Sequence, residues 1–356
     1  MKNWNLIQRI RNKFNYWRHK IFVVYSRILL DIQIRHVKKE SSYIYVFGVP
    51  IHSNLGDQAQ LLCIERWIKE YFPSYKAINI CARTMPSNCL KRIYGKIKKD
   101  DYVFIHSGYL FMNKVTDVPL ILDVVNMFKG NKIILFPQTV NFPDEQTKKK
   151  FISVFAEHPQ LTLLCRDFVS YEKAKDLFPH NRCVAYPDIV TSLIGTYDEN
   201  YKREGICFCL RDDAEKLYTE EELEGLISRF KSYNCNRIDT TIKISPFSWL
   251  TCRKHIIYKM INEIARHRLV ITDRYHGTIF SIIANTPVII INSSDHKLSS
   301  GMKWFEQDCF KRSVFYAENL EEAFLLATNV LNDRSDKIKN PPHLLEKYWK
   351  KLHHII

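Results

Sequence analysis

Charged side chains follow several apolar runs of this sequence, at the point where each run ends. The stretch DRYHG at 273–277 joins the apolar run 269–272 to a second apolar stretch. A strand that gives way to a helix there brings Arg274, His276 and free backbone amides to one anion. Histidine can also transfer a proton near neutral pH. An arginine and a histidine at this spacing are also common in purely structural settings, so both interpretations stay open.

Arg166 begins a second cluster, RDFVS at 166–170, directly after the apolar run 161–165. A guanidinium at the carboxyl end of a strand can bind a phosphate or carboxylate through two parallel hydrogen bonds. The alternative is a salt bridge to Asp167 or another loop carboxylate. The clusters YPDI at 186–189 and LRDD at 210–213 have the same position after apolar runs, and each is compatible with ordinary strand-end polar chemistry.

The stretch HSNLGDQ at 52–58 follows the apolar run 43–48. Glycine allows a tight strand-to-helix turn, and Asp57 can cap the helix that follows. Such a turn also directs backbone N–H groups at any anion. The stretch matches neither a Walker loop nor the GxGxxG fingerprint.

The 356 residues predict two domains, and a hydrophobic content of 46% excludes a disordered chain. The ten cysteines contain no CxxC pair, and Cys207 and Cys209 lie in an apolar run. They are interpreted as reduced core residues of a cytoplasmic protein. No zinc or other metal site is expected, because Cys and His pairs at ligand spacing are missing.

Short apolar runs alternate with helical spacing throughout, which is typical of parallel sheets covered on both faces. The first set predicts strands at 43–48, 77–81, 102–106, 133–136 and 161–165, with helices at 57–72, 118–129, 145–157 and 168–178. After a linker at 195–204, the second set predicts strands at 206–210, 269–272 and 288–292, with helices near 219–233, 250–266 and 277–285. The predicted fold is α/β, with two Rossmann-like domains that face a cleft. The expected domains are a helical extension at 1–40, Rossmann-like domains at 41–195 and 205–335, and a C-terminal amphipathic helix within 336–356, over 341–353.

The net charge of +15 is concentrated in residues 1–40, which contain ten Lys or Arg but only Asp31 and Glu40 as acids. Apolar residues recur there every three or four positions, on one helical face: Trp4, Ile7, Ile10, Phe14, Trp17, Ile21, Val24 and Ile28. Such a basic amphipathic helix either lies on an anionic membrane or packs its apolar face on the protein itself. A membrane span is not expected, because Arg27 and Asp31 interrupt the best apolar run. Neither a cleaved signal peptide nor nucleic-acid binding is expected.

Taken in order, the motifs resemble the polysaccharide pyruvyl transferase family. The matching elements are NLGD at 54–57, FPQ at 136–138, RDxxS at 166–170, PD at 187–188, DRYHG at 273–277 and Lys297. The resemblance covers about residues 43–300. Two departures are HSGYL at 106–110, where consecutive glycines are usual, and Tyr275, where leucine is common.

The resemblance implies a fold similar to GT-B glycosyltransferases and transfer of a pyruvyl group from phosphoenolpyruvate, with no cofactor. The product would be a cyclic ketal on two hydroxyls of a sugar in a surface, capsular or exopolysaccharide. The acceptor would be a sugar or a lipid-linked oligosaccharide, and the N-terminal helix would suit one carried at the inner face of the plasma membrane.

The resemblance also implies roles for individual residues. Arg166 and Arg274 would bind the phosphate and the carboxylate, and His276 would be a general acid/base or a phosphate ligand. Asp57 and Asp188 would orient or deprotonate acceptor hydroxyls. The other residues expected at the substrate are Asn54, Gly56, Ser170, Tyr275 and Lys297. Two alternatives are a GT-B-type glycosyltransferase that uses a nucleotide sugar, and a catalytically inert subunit of a polysaccharide assembly complex.

Overall fold

The computed structural model describes residues 2–111, 117–213, 216–292, 297–333 and 338–356. The side chains of residues 2–12, 297 and 299 are outside this description. The described chain forms two parallel sheets flanked by helices, with one long helix before the first sheet. The predicted α/β class, with two Rossmann-like units and an N-terminal helix, is therefore confirmed.

The first sheet is built from six parallel strands. They are β1 (Ser42–Phe47), β2 (Tyr75–Ile80), β3 (Tyr102–Ile105), β4 (Lys132–Gln138), β5 (Leu161–Cys165) and β6 (Arg182–Ala185). Their spatial order is β2-β1-β3-β4-β5-β6. The central strands are nearly continuous apolar runs, because helices cover both of their faces. The chain changes direction across the sheet between β1 and β3, which makes this gap the switch point where α/β sheets bind ligands.

The second sheet is built from five parallel strands. They are β7 (Ile206–Cys209), β8 (Cys235–Ile238), β9 (Leu269–Thr272), β10 (Val288–Ile291) and β11 (Val314–Ala317). Their spatial order is β11-β10-β9-β7-β8, so the switch point lies between β7 and β9. The described segment 196–205 that joins the two sheets forms neither helix nor strand.

Helices accompany both sheets. Those before and within the first sheet are α1 (Lys2–Arg35), α2 (Leu55–Tyr71), α3 (Cys89–Tyr94), α4 (Val118–Met127), α5 (Glu145–Ala156) and α6 (Phe168–Leu177). Those of the second sheet are α7 (Glu220–Ser228), α8 (Pro246–Thr251), α9 (Arg253–Ala265), α10 (Tyr275–Ile283), α11 (Lys297–Met302) and α12 (Leu320–Asn332). Several begin at side-chain caps: Asp144 caps α5, Asp167 caps α6, Thr219 and Glu222 form a capping box at α7, and Asn319 caps α12.

Some predicted elements differ from the structure. The single helix expected at 250–266 is two helices, α8 and α9, which are separated at Cys252. The C-terminal segment expected to form one helix over 341–353 is helical, but it is divided into short turns. That segment contains a π-helical turn (Leu345–Trp349), with a bond from Lys350 N to Leu345 O of 3.0 Å, and a 3₁₀ turn (Leu352–His354). The four-residue edge strands β6, β8 and β11 were not predicted. The sequence of β8 (CNRI) has mixed polarity, and runs as short as RCVA in β6 and VFYA in β11 do not distinguish a strand from other structure.

One buried apolar cluster is shared by the facing sides of both sheets. It includes Val46 of β1 and Val270 of β9, and helices α2, α9 and α10 supply most of the packing between them. Two backbone bonds also join the halves directly, from Leu55 N to Thr240 O (2.9 Å) and from Ile242 N to Ser53 O (3.1 Å). The two sheets therefore have a fixed junction beside the amino end of α2.

The C-terminal segment returns to pack on the first sheet's side of the molecule. Trp349 is fully buried, and its indole N–H donates to Thr191 Oγ1 at 3.0 Å. The indole of Trp67 on α2 donates to the Trp349 carbonyl at 2.9 Å. Tyr186 donates to the carbonyl of Tyr348 at 2.9 Å. These contacts make residues 345–354 part of the core rather than a surface appendage.

Replacing Trp349 with alanine should lower the free energy of unfolding by about 3–5 kcal/mol, because it leaves a large cavity and removes the buried hydrogen bond from the indole to Thr191. Urea unfolding followed by circular dichroism measures this loss. Trp17→Ala is the matched control, since Trp17 is 59% exposed and its removal should change stability by less than about 0.5 kcal/mol. Equal stabilities of the two variants would show that residues 345–354 do not support the fold.

Helix α1 packs on the protein with a face other than its predicted apolar face. Phe22, Leu30 and Ile34 are buried, and Asp31 is paired with Arg92 of α3. In contrast, Trp17 and Ile21 of the predicted face are both 59% exposed. The alternative in which the apolar face docks on the protein is therefore wrong for the part of the helix whose side chains are described. Within the described residues, no helix has the length and hydrophobicity that a bilayer crossing requires.

Candidate active site

A cavity of about 440 Å³ lies where the carboxyl ends of the two sheets face each other. The first sheet contributes Gly48 after β1, His106 after β3 and Arg166 after β5. The second contributes Arg211 after β7 and Arg274 after β9. The switch points of both sheets therefore face the same cavity, which is where ligands of this architecture bind.

The amino end of α2 forms part of the cavity wall. Asn54, not Asp57, caps this helix: its Oδ1 accepts from the backbone N–H of Gly56 (2.9 Å) and of Asp57 (3.4 Å). The predicted capping role of Asp57 is therefore wrong. The Asp57 side chain lines the cavity instead, where its Oδ2 lies 3.6 Å from Nε2 of His52. Asn54 lines the cavity as well.

Gly56 is required by close packing between the two halves. A Cβ at this position would lie 2.0 Å from Nδ1 of His276, so only glycine lets the imidazole rest against the first turn of α2. His276 itself lines the cavity from the first turn of α10. Two helix amino ends thus meet at the cavity, and both present a partial positive charge to it. Gly56 does not line the cavity, so it acts on the site through His276.

Asp188 is a fully buried carboxylate that connects these elements. Its Oδ2 accepts a hydrogen bond from Gln60 Nε2 at 2.5 Å and lies 3.4 Å from His276 Nε2 and 3.8 Å from Arg166 NH1. Its Oδ1 accepts from the backbone N–H of Val190 at 3.0 Å. With no exposure, Asp188 lies behind the cavity wall and contacts the side chains that form it.

The charge of Asp188 is held by its neighbours. Burial alone would raise the pKa of its carboxyl, but His276, followed by Arg166, outweighs burial and lowers the pKa to about 2. The carboxylate is therefore ionised throughout the physiological range. It joins α2, the end of β5 and α10 by charge rather than by apolar contact.

Replacing Asp188 with asparagine should lower the free energy of unfolding at pH 7 by about 2–4 kcal/mol, because Arg166 loses its buried counter-charge. Since the folded pKa is depressed, this stabilisation is complete above the unfolded pKa of roughly 3.9 and disappears as the pH falls towards 2. Denaturant unfolding of parent and variant between pH 2 and 7 should give curves that converge below roughly pH 4.

The matched control is Asp198→Asn, since the Asp198 side chain is 82% exposed and pairs with Lys339 at the surface. Its curve should follow that of the parent at every pH. A difference between parent and Asp188→Asn that stays constant down to pH 2 would contradict the account based on charge.

Arg274 reaches the cavity as predicted, but two carboxylates hold its guanidinium. It makes two bonds of 2.8 Å to Asp239 and one of 2.6 Å to Asp213. Asp213 also accepts from Arg211 Nε at 2.8 Å and is 41% exposed. The carboxylate of Asp213 therefore lies between two arginines of the second sheet and accepts a hydrogen bond from each of them.

Arg166 has a different environment from Arg274. Its guanidinium donates to Thr139 Oγ1 at 2.5 Å and lies over the ring of Tyr275, 5.1 Å from the ring centre. The alternative pairing with Asp167 does not occur: that carboxylate accepts from Ser170 N at 2.8 Å and from Ser170 Oγ at 2.7 Å. Asp188, at 3.8 Å, is thus the carboxylate that balances Arg166.

The remaining predicted residues have separate positions. Ser170 is fully buried outside the cavity, where its hydroxyl donates to the Asp167 carboxylate and accepts from the backbone N–H of Val140. Tyr275 lines the cavity, and its ring is large enough to need glycine at position 301, where a Cβ would lie 2.4 Å from it. The side chain of Lys297 lies outside the described residues.

Two buried titratable groups of the cavity wall have shifted pKa values. Burial raises the pKa of Asp273 to about 6, although its carboxylate accepts from Arg211 N at 2.9 Å. Burial lowers the pKa of His106 to about 4, so this imidazole is neutral at physiological pH. Its Nε2 donates to the carbonyl of Asp57 at 3.2 Å and fixes the start of α2.

Several cavity residues were not assigned from the sequence. Arg211 and Asp213 belong to the LRDD motif, whose position after an apolar run indicates a strand end but no particular role. Arg83 and Asp117 line the side near the end of β2, and no motif marks either of them. Asp239, the partner of Arg274, follows the unpredicted strand β8. Among the described residues, no group of three or more His, Cys, Asp or Glu side chains is placed to hold a metal ion.

The fold and the cavity define a GT-B-like α/β architecture with an arginine-lined site between two Rossmann-like units. Solved structures share this fold at low sequence identity. An uncharacterised protein of Klebsiella pneumoniae is 14% identical with a TM-score of 0.52, over 78% of this chain and 94% of that one. The UDP-GlcNAc 2-epimerase of Methanocaldococcus jannaschii is 11% identical with a TM-score of 0.50, over 88% of this chain and 99% of that one.

The chain belongs to the polysaccharide pyruvyl transferase family, whose sequence profile matches residues 54–296. It is 30% identical to General stress protein 30 of Bacillus subtilis, over 74% of this chain and 78% of the relative. It is 26% identical to Pyruvyl transferase 1 of Schizosaccharomyces pombe, over 75% of this chain and 70% of the relative. The family membership makes this chain a transferase of polysaccharide biosynthesis. The motifs from NLGD at 54–57 to DRYHG at 273–277 lie within the matched range, and Lys297 lies one residue beyond it.

Proposed function

We propose that this protein transfers a pyruvyl group from phosphoenolpyruvate to two hydroxyls of a sugar and forms a cyclic ketal. The observation that carries the proposal is the meeting of Arg166, Arg274 and His276 at one cavity between the sheets. These side chains come from two distant parts of the chain, so only the folded protein brings them together. The acceptor is a saccharide of a surface, capsular or exopolysaccharide, carried on a lipid at the inner face of the plasma membrane.

The two ends of phosphoenolpyruvate suit the two groups of arginines. Arg166 lies on the first sheet, whereas Arg211 and Arg274 lie together on the second. The Asp213 carboxylate between the latter two occupies the position that the carboxylate of the donor takes on binding. Arg166 then holds the phosphate, together with the backbone N–H groups at the amino end of α10.

The proposed reaction conserves atoms and charge. His276 supplies a proton to the methylene carbon of phosphoenolpyruvate, which becomes a methyl group, and the adjacent carbon becomes oxocarbenium-like. One sugar hydroxyl attacks this carbon, the bond to the phosphate oxygen breaks, and the second hydroxyl closes the ring. One hydroxyl proton replaces the proton that His276 gave, and the other leaves with inorganic phosphate.

Asp57 and Asp188 have different roles in this proposal. Asp57 lines the cavity next to His52 and can orient a hydroxyl or accept its proton. Asp188 is fully buried, so it positions Arg166 and His276 rather than contacting the acceptor. No cofactor is required, because the donor itself provides the leaving group.

Incubation of the purified full chain with phosphoenolpyruvate and candidate lipid-linked saccharides should release inorganic phosphate and add the mass of a pyruvyl ketal to the acceptor. Arg166→Gln should lower kcat/KM by about 100-fold or more, through loss of a charged hydrogen-bonding partner. Arg237→Gln is the control, because Arg237 pairs with Glu220 and Glu224 away from the cavity. Release of a nucleoside diphosphate from a nucleotide sugar would instead establish a glycosyltransferase. If cells that carry the Arg166→Gln or His276→Gln variant make normal polysaccharide, the result would favour a catalytically inert subunit.

His276→Gln separates proton transfer from phosphate binding. If His276 is the acid, kcat should fall by about 10²–10⁴-fold, and the step of the pH–rate profile that belongs to the imidazole should disappear. If it only binds phosphate, KM for phosphoenolpyruvate should rise while kcat changes little. Steady-state kinetics between pH 5 and 9 measure both quantities. An unchanged kcat and KM would remove His276 from the proposed mechanism.

A further inference from the structure

Five apolar side chains of α1 form an exposed stripe that the fold does not use. Phe14, Trp17, Ile21, Val24 and Ile28 are between 54% and 60% exposed. Their spacing of three and four residues places them on one side of the helix. We call these five residues the apolar stripe. A contiguous apolar surface of this size on a soluble protein indicates a binding surface.

The rest of the helix is anchored, so the apolar stripe is held in a fixed orientation. Phe22, Leu30 and Ile34 are buried on the other side of α1. Phe22 makes an edge-to-face contact with Phe247 of α8, with ring centres 5.2 Å apart. The stripe therefore faces away from the protein because its opposite side is packed, not because the helix is detached.

Basic side chains flank the stripe. In a heptad with the stripe at the a and d positions, the neighbouring e and g positions are Lys13, Arg18, Lys20, Tyr25 and Arg27. No acidic residue precedes Asp31. A second copy of α1 packed on the stripe would place these positive charges against each other, which opposes self-association.

We infer that the apolar stripe binds an anionic lipid surface. The flanking Lys and Arg residues match the negative charge of such a surface, and Trp17 and Tyr25 are side chains that favour the interface between headgroups and hydrocarbon. The Lys20 ammonium lies over the rings of Tyr16 and Trp17, 4.6 and 5.5 Å from their centres, so a positive charge lies directly beside the apolar stripe. The helix lies flat on the bilayer and does not cross it.

The position of α1 places the cavity beside the membrane. α1 contacts the 3₁₀ turn Ala82–Thr84 that follows β2, and Arg83 of this turn lines the cavity. Its contact with Phe247 joins it to the second half as well. An acceptor whose sugar is carried on a membrane lipid would then reach the cavity without leaving the bilayer. Only this last point rests on the proposed function.

Flotation of the full chain with vesicles of phosphatidylglycerol and phosphatidylcholine tests the inference without any substrate. The parent should bind vesicles that contain phosphatidylglycerol and should be released by high salt. Trp17→Ser with Ile21→Ser should lower binding by about tenfold or more. Lys20→Gln with Arg27→Gln should lower it by about 25-fold, at about fivefold for each charge. Point variants are preferable to truncation, since deletion of α1 would expose the core around Leu30 and Ile34.

The control variants make the same kinds of substitution at exposed positions outside α1. Leu325→Ser removes an apolar side chain that is 56% exposed on α12, and Lys149→Gln with Lys150→Gln removes two exposed charges on α5. Both should float like the parent. Failure of the parent to float, or equal flotation of the Trp17 and Ile21 variant, would overturn the inference. Dimerisation of the parent that this variant abolishes, without vesicle binding, would assign the stripe to a second copy.

A parallel ketal assay with a detergent-dispersed acceptor separates the two proposals. Flotation without ketal formation would leave the membrane inference standing and reject the proposed function. Ketal formation without flotation would support the proposed function and reject the membrane inference.

Discussion

The site depends on one buried negative charge that is shared between two sheets. Asp188 is placed by the strand end of β6, yet its partners lie on α2, after β5 and on α10. A carboxylate without exposure is stable only when cations and donors surround it, so its presence requires the two halves to stay together. The amino end of α2 then fits against the imidazole of His276, so a side chain at Gly56 would have to displace this imidazole. Elements that are about 200 residues apart in the chain thus form one rigid wall.

The arginines of the cavity are rigid because they are already paired. Arg274 donates two hydrogen bonds to the carboxylate of Asp239, and Asp213 pairs with both Arg274 and Arg211. A guanidinium fixed in this way needs little rearrangement when a ligand arrives, which is the condition for electrostatic preorganisation.

Much of the architecture could be predicted because hydrophobic runs at strand spacing are a local signal. The positions of Arg166, Arg274 and His276 followed from the rule that parallel strands end at the same edge of a sheet. Their partners could not be predicted, since the contacts of Arg274 with Asp239 and of His276 with Asp188 join distant segments. Asp57 was assigned to a cap that Asn54 forms, because both residues are good caps and only the backbone geometry distinguishes them. The edge strand β8 was missed because a strand with one neighbour needs no continuous apolar run, and β6 and β11 were missed because a four-residue run is too short to identify by itself.

The return of residues 345–354 to the first sheet's side has a consequence for synthesis of the chain. Trp349 contacts Trp67 across 282 positions of sequence, and Thr191 across 158. The half that leaves the ribosome first therefore lacks part of its own core until the segment around Trp349 has also emerged. Contacts of such long range form slowly, because a large loop must close before they are made. The nascent first half thus stays incomplete during translation, with the apolar surface around Trp67 open to chaperones.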